Sequence, residues 1–62
     1  MITLCELLHD IQIEIDRASD NNDDRACAWY CNLYEACDVP CITDILVQAA
    51  HKELCNAIVN GF

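Results

Sequence analysis

The sequence predicts an all-α domain, a small three-helix bundle of up-down-up topology spanning residues 1–62, and three observations carry that expectation. Apolar residues recur at helical spacing in three stretches, about 3–18, 24–37 and 40–59. The stretches are separated by a polar run, Ser19 to Asp24, and by Pro40. One Gly and one Pro in 62 residues, with 55% of the chain hydrophobic, leave little composition for long loops or disorder.

Thr3 followed by Glu6 reads as a capping box and opens the first helix. Leu4, Leu7, Leu8, Ile11, Ile15 and Ala18 fall on one stripe, with Glu6, Asp10, Glu14 and Arg17 turned away and Ile13 left on the exposed side. The Ser19–Asp24 run is made of turn and cap residues whose side chains compete for backbone hydrogen bonds, so it is a loop, and Asp23 or Asp24 caps the second helix. From Arg25 to Cys37 a broad arc of Ala26, Trp29, Tyr30, Leu33, Tyr34 and three cysteines leaves only Arg25, Ala28, Asn32 and Glu35 opposite, which marks this as the middle helix. Pro40 disfavours helical geometry at Val39 and is placed to open the third helix, which Gly61 terminates. Leu46, Val47, Ala50, Leu54, Ala57 and Ile58 form its main stripe. Ile42, Ile45, Ala49 and Val59 lie outside it, an apolar surplus that calls for wrapping over the neighbouring helices, a homodimer or a partner surface.

A domain of this length buries only about 60% of its unfolded surface, and each ordered residue costs roughly 1.5 kcal/mol, so small domains commonly recruit a staple. Every cysteine and histidine here has a partner four residues away: Cys5/His9, Cys27/Cys31, Cys37/Cys41 and His51/Cys55. Positions four apart share a helix face. Reflecting the chain about turns near residues 21 and 39 sets Cys5 level with Cys37, and Cys27 level with His51.

Three readings of these pairs follow. Six cysteines in so short a chain suit interhelical disulfides, Cys5 to Cys37 or Cys41 and Cys27 or Cys31 to Cys55, since cysteines four apart on one helix stand near the limit of disulfide geometry. Two Cys₃His clusters, Cys5/His9/Cys37/Cys41 and Cys27/Cys31/His51/Cys55, would suit zinc or Cu(I). Reduced cysteine used as a small hydrophobe at core positions is the third. The disulfide framework is the favoured one, because an even cysteine count in a tiny chain is its usual signature. No cofactor is then expected, zinc being the alternative.

The chemistry of catalysis is hard to find. There is no Cys-x-x-Cys pair, no phosphate-cradling Gly loop and no serine nucleophile motif. Eleven acidic against three Lys/Arg residues give a net charge of -8, which repels nucleic acid and anionic membranes and attracts a basic protein surface. No apolar run is long enough to span a bilayer.

The sequence therefore predicts a non-enzymatic regulator, inhibitor or signalling peptide that binds a basic protein through Asp16, Asp20, Asp23, Asp24 and Trp29. It is secreted if the cysteines are bridged and Met1 is an addition. It is cytosolic, as a viral or bacterial effector or a metal-binding protein, if Met1 is native and the thiols are reduced or metal-bound.

Overall fold

The computed structural model describes residues 1–61, and the three stretches are helical in it: α1 (Leu4–Asp20), α2 (Asp24–Cys37) and α3 (Asp44–Asn60). Their starts are set by side chains. Thr3 Oγ1 accepts from the Glu6 N–H at 3.2 Å and donates to the Glu6 carboxylate at 3.1 Å, so the expected pair opens α1. Of the two candidate caps for α2, Asp23 takes the role and accepts from the Ala26 N–H at 3.2 Å. Helix α1 runs to Asp20, past its expected end, because the amides of Asn21, Asn22 and Asp23 donate back to the carbonyls of Arg17, Ser19 and Ala18. Asn22 sits at φ 55, a left-handed conformation that asparagine tolerates.

The third helix begins at Asp44, so Pro40 does not open it. Thr43 does: its hydroxyl accepts from the Leu46 N–H at 3.4 Å, and Asp44 places a carboxylate in the first turn. Pro40 lies instead in a turn in which the Ile42 N–H donates to the Val39 carbonyl at 3.4 Å. This turn packs Ile42 against the core. At the far end Gly61, at φ 74, donates its N–H to the Ala57 carbonyl at 2.9 Å and closes α3 as expected.

The topology is up-down-up. Gln48, in the first turns of α3, donates from Nε2 to the Ile2 carbonyl at 2.8 Å, while Gly61 at the end of α3 shares a groove with Asn21 at the end of α1. The two helices therefore run parallel, with α2 antiparallel to both. α1 and α2 share most of the interhelical contact, and α3 lies against both more lightly. The triangle closes: α2 touches both neighbours, as its broad apolar arc predicts, and α1 and α3 touch each other as well. The radius of gyration is 11.1 Å, close to the roughly 10.6 Å that chain length alone gives for a compact domain.

Leu7, Ile11 and Ala18 of α1 meet Ala26, Tyr30 and Cys37 of α2 and Val47, Leu54 and Ala57 of α3 in one core. Leu7, Ile11 and Leu54 are the large side chains completely enclosed. Burying each contributes about 1.5–3 kcal/mol. Two members of the expected third stripe fall outside this core: Leu46 and Ile58 lie on opposite flanks of α3 and are about half exposed.

All six cysteines are free thiols, so the expected interhelical staples are not formed. Helix geometry supplies the reason. Reflection about the turns fixes how high a residue sits, not which way it points. At 3.6 residues per turn, Cys5 and His9 lie well over 90° around α1 from the Leu7–Ile11–Ala18 stripe, and both are exposed. Cys37, their expected counterpart, points inward at 2% exposure. It is a core residue rather than a flank one.

Candidate functional site

The helices part the four cysteine and histidine pairs into two that touch and two that do not. Cys27 and Cys31 lie one turn apart on a half-buried flank of α2. Burial pushes the Cys27 thiol up first, followed by its hydrogen bond to Cys31 and by the charges of Cys31, Asp24 and Asp23. His51 and Cys55 touch on α3, with Nε2 at 3.5 Å from Sγ. Cys5 and His9 face solvent, and Cys41 lies in the turn after α2, off the helix that carries Cys37. Among the described residues no three His, Cys, Asp or Glu side chains are grouped to hold a metal ion. Zinc takes three or four such donors at one point, so the eight residues as placed do not fit the two Cys₃His sites.

The acidic end gathers as expected. Asp16, Asp20, Asp23 and Asp24 are all exposed where α1 ends and α2 begins. Asp16 accepts from Gln12 Nε2 at 3.2 Å, and Asp23 is spent on capping. This end is not purely negative, since Arg17 and Arg25 line its groove beside Glu14 and Asp23, and Arg17 pairs with Glu14 at 3.2 Å. Tyr30 lines the same groove, and burial raises its phenol above the ordinary range, helped by Glu14 and Asp23 and opposed by Arg17.

Trp29 is placed apart from that groove. It stands edge-on to Tyr30, with centroids 5.4 Å apart and planes at 80°. Half-buried, it lines a shallow groove with Glu53, Asn56, Ala57, Asn60 and Gly61 at the seam of α2 and α3. A second groove occupies the other end of that seam, about 240 Å³, with Cys37 among its walls and Val39, Ile42, Leu46 and Glu53 around it. Burial, and then the Glu53 carboxylate, raise the Cys37 thiol. Sequence reasoning missed this second groove. Its one signal was the apolar surplus on α3, of which Ile42 is packed while Ile45, Ala49 and Val59 stay exposed. A third groove, between α1 and α3, has Leu54, Ile13 and Ile58 beside Asp10, Glu14, His51 and Cys55.

Among the described residues no helix is long and apolar enough to cross a membrane. Comparison with known protein families, curated proteins and solved structures gives no match.

Proposed function

We propose that this protein is a non-enzymatic regulator that works by docking onto a basic protein surface. The observation that carries this reading is a coincidence on one small exterior: a net charge of -8 together with large apolar side chains that the other described residues leave uncovered, Leu46 at 56% and Val39 at 43% exposure among them. Carboxylates bring an oppositely charged partner in quickly and set its orientation, while uncovered apolar groups supply binding energy once water is expelled. Self-association answers the apolar residues less well, because two copies each at -8 repel.

Within this reading the reduced form is favoured over the bridged one. Cys37 is enclosed by the core, whereas Cys5, its expected partner, and Cys41, the alternative partner of Cys5, are exposed. The cysteines then serve as packing and surface positions of three helices.

The test is the association rate with a lysine-rich helical peptide, followed by Trp29 fluorescence at low and high salt. Replacing Asp16, Asp20 and Asp24 by Asn, with the capping Asp23 kept, should slow association and flatten its salt dependence. A wild-type rate that ignores salt would remove electrostatic docking from consideration.

A further inference from the structure

We infer that the seam between α2 and α3 is one continuous groove that seats a basic amphipathic helix of a partner protein, with two apolar anchors straddling Glu53. This rests on the reading above and says where such a partner lies. The two grooves of the seam both include Glu53, one reaching from it to Trp29 and Gly61, the other to Val39, Ile42 and Leu46. They meet at that carboxylate.

Dimensions select the occupant. From Leu46 to Asn60 the α3 wall spans about 21 Å, and Trp29 and Ala36 on the α2 wall are two turns, about 10 Å, apart. An incoming helix presenting large apolar side chains at i and i+7 would set one beside Trp29 and the other beside Ala36, in the chamber that Val39 and Leu46 also line. The chamber beside Cys37 holds about 240 Å³ and the shallow one beside Trp29 about 370 Å³, so each can take one large side chain of an incoming helix. A third helix lying over the line between two packed helices is ordinary ridge-and-groove packing.

Charge selects the sequence of that helix. Among the described residues lining the two grooves Glu53 is the charged one, and no Lys, Arg or His accompanies it. A Lys or Arg at i+3 or i+4, between the two anchors, faces Glu53 directly. The molecule's overall charge favours the same sign and opposes a second copy or an anionic membrane in that place.

The experiment uses an alanine-based helical peptide with Leu at i and i+7 and Lys at i+4, and an isomer with the same composition whose two leucines lie on opposite faces. Binding is measured by Trp29 fluorescence and calorimetry, with helicity of every protein variant checked by circular dichroism. The patterned peptide should bind about tenfold or more tighter than its isomer, and Leu46→Asp or Glu53→Lys should each weaken it by about tenfold. Ile45→Asp, on the outer face of α3, should change it by less than about twofold. A Glu-for-Lys peptide should recover binding to Glu53→Lys. Equal, salt-sensitive binding of both peptides, unaffected by the seam variants, would overturn the groove while leaving acidic docking intact. No binding of either peptide at low salt would overturn both. A protein dimer that Leu46→Asp dissolves would give the seam to a second copy and overturn the proposal.

Discussion

Replacing Cys37 by serine exchanges a buried thiol for a hydroxyl of nearly the same shape, which isolates the role of that sulfur in the core. Cys37 is 2% exposed, and Val39, Ile42, Leu46 and Ala50 beside it are apolar, with Glu53 the one polar residue among the described residues lining the same groove. A hydroxyl buried without a partner costs about 1–3 kcal/mol. Serine in a last helical turn recovers part of this by bonding back to the carbonyl one turn earlier, so about 1–2 kcal/mol is expected. A domain of this length has roughly 3–9 kcal/mol in total, so the loss should lower the melting temperature by about 5–15 °C. Cys5→Ser, at an exposed position, should stay within about 0.5 kcal/mol of wild type. Thermal unfolding followed at 222 nm, with and without a thiol reductant, checks all three statements. The reasoning fails if reductant alone destabilises the wild type by the roughly 2–4 kcal/mol of a lost disulfide, or if Cys5→Ser costs as much as Cys37→Ser.

Further outcomes follow from burial and capping. Cys27, Cys37 and Tyr30 are all held protonated above ordinary values of 9.0 for the thiols and 10.0 for the phenol, so their contribution is complete below pH 9 and is lost as pH rises through the folded-state values. Denaturant midpoints should therefore fall between neutral and strongly alkaline solution, and Cys37→Ala should show a shallower fall; a flat profile would contradict the burial of these groups. Thr43→Ala should cost about 1 kcal/mol, while Thr43→Ser keeps most of the stability; an unchanged melting temperature would return the start of α3 to Pro40. Leu54→Ala should cost about 2–5 kcal/mol because the side chain is enclosed, against less than about 0.5 for Ile45→Ala on the outer face. Comparable losses at the two positions would mean that α3 is rotated about its axis.

Local rules made most of the fold legible. Thr3, Asp23 and Gly61 act through hydrogen bonds to residues three or four positions away, so a short window contains both partners and the helix ends could be read from it. Pro40 misled because its restriction permits a helix start without requiring one, and Thr43 offered a better cap a few residues on. The candidate sites depended on azimuth. Recurrence every four residues says that Cys5 and His9 share a face, but only the competition with Leu7 and Ile11 for the interior decides that the face is the outer one. The acidic end was legible because loop carboxylates stay in water wherever the helices pack. The seam beside Glu53 was not, since its width depends on how closely α3 approaches α2, a distance no spacing in the sequence encodes.

The uneven sharing of contact among the helices bears on how the molecule opens. α1 and α2 are joined by a three-residue turn and hold each other over most of their length, so they form a local, low-contact-order hairpin. α3 is secured by Val47, Leu54 and Ala57, and by a long-range hydrogen bond from Gln48 to Ile2. Amide hydrogens in α3 should then exchange through a partial opening that leaves the hairpin intact, and those of α1 and α2 only through global unfolding. On that basis a single melting curve would average two events, the undocking of one helix and the collapse of the pair it leaves behind.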